Sequence, residues 1–567
     1  MYDAIITGGT IIDGTGATRR RADVGITGGR IAAIGDLGDA RAARTIDASG
    51  RIVAPGFIDV HTHVDAQVFW DTTLSPSPLH GVTSVIGGNC GFSVMPLSDD
   101  PEDGAYLMRM LSRVEGMPLR SLEEGVPWNW KSTEDYLAML ENKLSINAGF
   151  KVGHSALRRV VMGADCTRRE ATADEIAAMC DLLRAGVEAG AIGFSSSWSN
   201  THNDADRNMV PSRYATRDEL LALCGVLADY PGTTLEFIPR VGPFTDEDAE
   251  LMADMAQAAD APLNWNVLAV SAKNLDDAFA KLGACDAAAS RGHRVVGLTA
   301  PMSLDFRVSF ASGFLLDAIP GWEEVMLLPI EDKMALFADP AERQRLADLA
   351  DSKHLMRRFT HWEQMTIFHT VAPENQQYLG RNIGEIATEL GKSPWDTICD
   401  IALADRLETS FGHPSEDEPD ENWKARVEVW RDKRAVIGAS DAGAHLDMFF
   451  SADYATKMLG EAVVKRQLMP LEEAINLLTA VPADLYGLKD RGRLVEGAYA
   501  DLVVFDEHTI SSNPMEMRAD LPAGAARLYA EANGIDLVMC NGVEIVSHGE
   551  FTDARPGAVL RSGVHTG

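Results

Sequence analysis

The run Phe57-Ile58-Asp59-Val60-His61-Thr62-His63-Val64-Asp65 is apolar until it presents two histidines at i and i+2. Side chains of a β-strand alternate faces, so His61 and His63 would point the same way and could chelate one cation. Two histidines in a polar turn would satisfy the same spacing. The surroundings favour the strand: Pro55-Gly56 sets its start, and near the far end of the chain a second apolar run, Ala435-Val436-Ile437-Gly438-Ala439-Ser440, leads to Asp441 and His445. A barrel would bring such first and last strands side by side.

The elements that must position these residues follow a βα pattern, in which apolar β-branched runs alternate with helical periodicity. Eight strands are expected. They end near His61/His63, at Asn89-Cys90, at His154, at Ser195 to Ser197, at Glu236 to Arg240, at Asn264/Asn266, at Thr299-Ala300-Pro301 and at Asp441. This predicts an α/β fold, a TIM-like (β/α)8 barrel whose strand ends carry polar or metal-competent side chains on the face that builds active sites. Insertions interrupt it at about 97–148, with Trp128 and Trp130, and at about 302–432, which contains the acidic run Ser415 to Glu421. Such insertions either cover a site as lids or form helical core. Both ends of the chain read as short strands broken by glycine turns, so residues 1–54 and 486–567 are expected to form one small β-sandwich domain flanking a barrel at 55–485.

Composition narrows the function. The 84 acidic and 51 basic residues give a formal charge of -33, which repels nucleic acid and anionic membranes. Hydrophobic content of 46% and charged content of 24% suit a globular chain. The seven scattered cysteines suggest free thiols in a reducing compartment, and the beginning shows no basic segment followed by an apolar core. A cytoplasmic protein is expected, with a homo-oligomer as the general tendency.

Taken in order, several motifs resemble the amidohydrolase superfamily, and within it the D-aminoacylase (N-acyl-D-amino-acid deacylase) branch. They are Pro55 to His63, Gly88-Asn89-Cys90-Gly91-Phe92-Ser93, Val152-Gly153-His154-Ser155-Ala156-Leu157-Arg158, Gly190 to Ser195, Gly438-Ala439-Ser440-Asp441 and the tail segments Ala480 to Ala483 and Gly492 to Val503. The resemblance implies a metal-binding barrel with a small β-domain, and hydrolysis of an amide-type bond by metal-activated water. It implies Cys90 as a metal ligand and Asp441 as the residue acting on the water. The chain departs from the branch after the fifth and sixth strands, where Leu235-Glu236-Phe237 and Asn264-Trp265-Asn266 stand instead of histidine ligands. The branch's basic residues for a substrate carboxylate are also absent.

Zinc suits imidazole, thiolate and carboxylate, so His61, His63, Cys90, Glu236 and Asp441 are the expected ligands of a divalent metal, with Asp441 also the catalytic base. Cys90 could instead be a small buried residue, Asp441 a helix cap and Glu236 an ion-pair partner of Arg240. His154, Arg158, Arg240, Asn266 and His445 are candidates to hold substrate, and Arg307 could grip a carboxylate. His202, His361 and His369 receive no role. The expected function is deacylation of an N-acyl amino acid. Hydrolysis of a cyclic amide or other acyl substrate, or a non-catalytic binding or assembly role on the same barrel, are the alternatives.

Overall fold

A computed structural model of the chain describes residues 1–312, 315–316, 319–353, 356–414 and 418–567. Ser415, Glu416 and Asp417 of the acidic run lie outside the described residues. The barrel strands are Phe57–Asp59, Val82–Gly87, Asn147–Phe150 continued by Val152–Gly153, Gly193–Ser197, Thr234–Ile238, Leu263–Trp265, Val295–Thr299 and Ala435–Ile437. Each pairs in parallel with the next. Every residue of these strands is buried, which explains why they read as unbroken apolar runs and not as alternating ones. Just beyond the first and last strands the ring closes: Thr62 bridges Ala442, the Asp441 amide donates to His61 O at 3.1 Å and the His63 amide to Ala442 O at 2.7 Å.

Helices on the outside cover the strands. Ala173–Glu188 and Asp246–Ala259 each start at a threonine, Thr172 or Thr245, in a reciprocal capping box with an acidic residue three positions on. Their apolar faces, including Met179, Leu183, Leu251 and Met255, share a core with Val152, Phe194, Leu235 and Leu263 of the strands.

The two ends of the chain meet in one sheet. Ile52–Pro55 lies between Thr10–Ile11 and Leu502–Phe505, with Val53 opposite Val504, and Ile535–Cys540 and Val543–Ser547 extend the same sheet. A second sheet of Arg30–Gly35, Asp23–Thr27, Tyr2–Thr7 and Ala42–Asp47 packs against it around Ile6, Val24, Ile26, Val53, Leu502 and Met539, a sandwich. Farther along, Val559–Leu560 pairs with the third barrel strand.

The first insertion supplies the helices Pro101–Val114, Leu119–Gly125 and Thr133–Leu140. Met110, Trp130 and Tyr136 are core here, with the Trp130 ring stacked 5.1 Å from Phe69. The second has its own apolar cluster around Phe310, Trp322, Phe337, Trp362 and Trp395, and an antiparallel pair of Thr366–His369 with Ser410–Gly412. All seven cysteines are unpaired. No helix among the described residues is long and apolar enough to cross a membrane.

Candidate metal centre

Beneath the histidines, the Asp59 carboxyl accepts from Ser440 Oγ and, at 3.4 Å, from the His61 amide, tying the first strand to the last. Burial pushes that carboxyl up to about 8. Above this tie His61 and His63, 1% and 2% exposed, stand with ring centroids 5.3 Å apart. Both Nε2 atoms face the same point. Cys90 Sγ lies 3.5 Å from His61 Nε2 and 3.7 Å from His63 Nε2, and Asp441 Oδ1 lies 3.0 and 3.6 Å from the same two nitrogens. Burial disfavours charge on Asp441, but the two imidazoles hold its carboxyl well below the usual carboxylate range. Burial pushes His61 down; burial also opposes charge on His63, yet the Glu115 and Asp441 carboxylates outweigh it and push that imidazole up to about 9.

Two of these residues have strained backbone. Cys90 (φ 57°) and Asp441 (φ 54°) occupy the left-handed region, which costs a non-glycine residue roughly 1–2 kcal/mol and persists where the surroundings enforce it. At Cys90 the enforcement is visible. Its amide donates to Glu236 Oε2 at 2.7 Å, and the loop's Asn89 donates to Thr62 O at 3.0 Å and Ile86 O at 2.9 Å. Gly88 must be glycine, since it sits at φ 71° and a Cβ there would strike the Lys151 carbonyl.

The residues expected from the sequence separate into two groups. His61, His63, Cys90 and Asp441 come together. Glu236 does not join them as a fourth ligand atom: Oε2 accepts from the Cys90 amide and Oε1 from the Asn266 side chain, so this carboxylate braces Cys90, and it is not paired with Arg240. Among the described residues, the group able to hold a metal is His61, His63 and Cys90, whose ligand atoms lie within 4.8 Å of one another. Asn266 is thereby committed to Glu236. His154 is fully buried with Nδ1 at 2.8 Å from Ser196 Oγ and Nε2 at 2.9 Å from Glu219, and Arg158 places Nη1 2.6 Å from both Glu219 oxygens. Both therefore hold helices together. Arg240 pairs with Asp248 at 2.8 Å at a helix start, and Arg307 lies with its guanidinium 4.1 Å above the Phe368 ring. His445 stays close to the centre, with Nε2 4.0 Å from Glu115 Oε2.

Glu115 escaped the sequence reading. It follows the helix Pro101–Val114 of the first insertion, is 3% exposed, and brings Oε1 to 3.4 Å from His63 Nδ1, while its carbonyl accepts the His445 amide. Burial pushes its carboxyl up to about 7. Lys151 was also missed: it is fully buried at the break in the third strand and donates to Asn89 Oδ1 at 2.8 Å. A lone acid after an amphipathic helix and a lysine within an apolar strand give no local signal. His202, assigned no role, places Nδ1 2.9 Å from Ser197 Oγ and its ring 5.0 Å from that of Phe92.

Two imidazole nitrogens and a sulfur, with the Asp441 carboxylate beside both nitrogens, are donor types that zinc prefers. Burial pushes the Cys90 thiol well up, so without a cation it is a poor nucleophile; beside one it would ionise. The residues present fit a divalent metal.

Comparison with known proteins agrees with this architecture. The family model described as "Amidohydrolase family" matches residues 44–546. The D-aminoacylase of Alcaligenes xylosoxydans xylosoxydans is 30% identical over 562 residues, covering 99% of this chain and 97% of that one. Among solved structures, N-acyl-D-glutamate deacylase from Bordetella bronchiseptica, complexed with zinc and a phosphonate inhibitor that mimics the tetrahedral intermediate, superposes with a TM-score of 0.67 at 27% identity over 99% of this chain and 100% of that one. A D-aminoacylase studied for the role of its binuclear metal center gives a TM-score of 0.65, also at 27% identity over 99% and 100% of the two chains. With the match running through barrel and β-domain alike, the chain belongs to the amidohydrolase family.

Proposed function

We propose that this protein is a metal-dependent hydrolase of a non-peptide C–N bond that removes the acyl group from an N-acyl amino acid. The observation that carries this reading is the convergence of His61 Nε2, His63 Nε2, Cys90 Sγ and Asp441 Oδ1 at the closing seam of the barrel. Relatives spanning nearly the whole chain are deacylases of this kind, which supports the substrate class.

His61, His63, Cys90 and Asp441 would hold the ion. When bound, a divalent cation, zinc by the donor set, supplies Lewis-acid polarisation of the scissile carbonyl and makes water a usable nucleophile near neutral pH. Asp441, held ionised by its imidazole neighbours, accepts the proton of the attacking water and then delivers it to the amide nitrogen as the C–N bond breaks. The products are a carboxylic acid and a free amino acid. Glu115 keeps His63 oriented from behind, and Glu236 keeps Cys90 in its left-handed conformation. Seven unpaired cysteines support a cytoplasmic setting as part of the proposal.

A hydrolysis screen over N-acetyl-D- and N-acetyl-L-amino acids, longer acyl amides and hydantoins, run on zinc-loaded and chelated protein, tests the reading. Zinc-dependent release of free amino acid is expected. Activity confined to hydantoins would replace the substrate class, and protein that hydrolyses none of these with zinc added would remove the enzymatic account.

A further inference from the structure

The interior beside Cys90 already contains a cation of the chain's own. Lys151 is fully buried, donates to Asn89 Oδ1 at 2.8 Å and places Nζ 4.9 Å from the centre of the Tyr486 ring. Burial pushes this ammonium down to about 8, and the negative charge of Glu236, Cys90 and Asp65 works against that loss. The residues at the ends of the fifth and sixth strands are likewise engaged, because Glu236 spends one oxygen on the Cys90 amide and the other on Asn266 Nδ2. Neither carboxylate oxygen is left to coordinate without breaking a buried hydrogen bond, and the residue before Cys90, Asn89, is itself held by the Lys151 side chain.

We propose that this protein holds one divalent cation per chain, and that Lys151 together with the Glu236–Asn266 pair fills the space beside Cys90 that a second cation would need. The relative studied for its binuclear center is described by one-metal activation and second-metal attenuation, and this chain would be confined to the one-metal state. Lys151 is then a positioning residue: it holds Asn89, the neighbour of Cys90, while Glu236 braces the Cys90 amide. The inference rests on the metal-dependent reading of the same site, where His61, His63 and Cys90 are the one group among the described residues able to gather around an ion.

The test is metal stoichiometry of the full chain. Chelated and dialysed protein is titrated with Zn2+ by calorimetry, the bound metal is counted by mass spectrometry, and Co2+ absorption gives an independent end point. One ion per chain, with the Co2+ spectrum complete at one equivalent, is the expected result. Two ions would overturn the proposal and leave the hydrolytic reading standing. None would overturn both. Lys151→Met and Lys151→Gln remove the charge, the second retaining a donor for Asn89, and either one combined with Asn266→Ala, which frees Glu236 Oε1, is expected to take up a second Zn2+ where the variant folds. A folded variant that still stops at one ion would show that these residues do not exclude the second.

Discussion

In the proposed reaction Asp441 carries two demands at once, as a neighbour of the ion and as the group that moves a proton. An amide in its place would still offer an oxygen to a cation but could not act as a base. Asp441→Asn is expected to retain metal, counted by mass spectrometry, while kcat falls by about 10²–10⁴-fold, the usual contribution of a general base. Near-normal turnover would remove Asp441 from the proton path. Glu115 acts one step farther out, 3.4 Å from His63 Nδ1. Glu115→Gln is expected to weaken Zn2+ binding about 10–100-fold in competition with a chelator, the typical loss when a ligand's supporting group is changed. An unchanged affinity would reduce Glu115 to packing. At this scale the sequence is legible where geometry is local: the i, i+2 spacing puts His61 and His63 on one face, and although the strand ends at Asp59, the bridge of Thr62 to Ala442 carries the pairing on past it. Glu236 was harder to place, for the opposite reason. Residue type identifies a carboxylate at a strand end, but only the fold shows that one oxygen meets the amide of Cys90, from another strand's loop, and the other meets Asn266.

Elements decide what the conspicuous basic residues do. His154 and Arg158 lie on the helix His154–Met162, a turn apart, and both reach Glu219 on the helix Arg217–Val226. All three are fully buried, so the carboxylate that looked as though it would come from a substrate is supplied by a neighbouring helix. Removing that carboxylate's charge strands a guanidinium in the interior, a change that costs about 3–5 kcal/mol. Glu219→Gln is therefore expected to lower the stability of the barrel's own transition by that order in denaturant unfolding, and a loss below about 1 kcal/mol there would show that the triad is solvated in solution. The barrel strands were readable because residues buried on both faces leave unbroken apolar runs. What the insertions contribute was not readable: the amphipathic pattern of Pro101–Val114 predicts a helix, but not that Glu115 beyond its end is delivered to His63, just past a strand more than fifty residues earlier.

Across the whole molecule, the candidate centre lies on the line where the barrel closes. His61 and His63 follow the first strand, Cys90 the second and Asp441 the eighth, and the backbone there is joined by few bonds, among them Asp441 to His61 and His63 to Ala442. An ion held by these side chains would add a direct tie across that seam and would bind the folded chain in preference to the unfolded one. Free zinc at about 100 times its dissociation constant then stabilises the fold by about 2.7 kcal/mol. A chain with a barrel, a sandwich and a helical insertion is not expected to unfold in one step, so the informative quantity is the sign and concentration dependence of the barrel's melting midpoint. Calorimetric melting should show that midpoint rising steadily with added Zn2+ and falling when EDTA is added. The formal charge of -33 makes an ionic-strength control necessary, because salt alone relieves self-repulsion and would also raise the midpoint. Mg2+ at equal ionic strength supplies that control, since it prefers octahedral oxygen ligands over thiolate and imidazole. A midpoint that responds equally to Mg2+ and Zn2+ would mean that screening, and not an ion across the seam, accounts for the stabilisation.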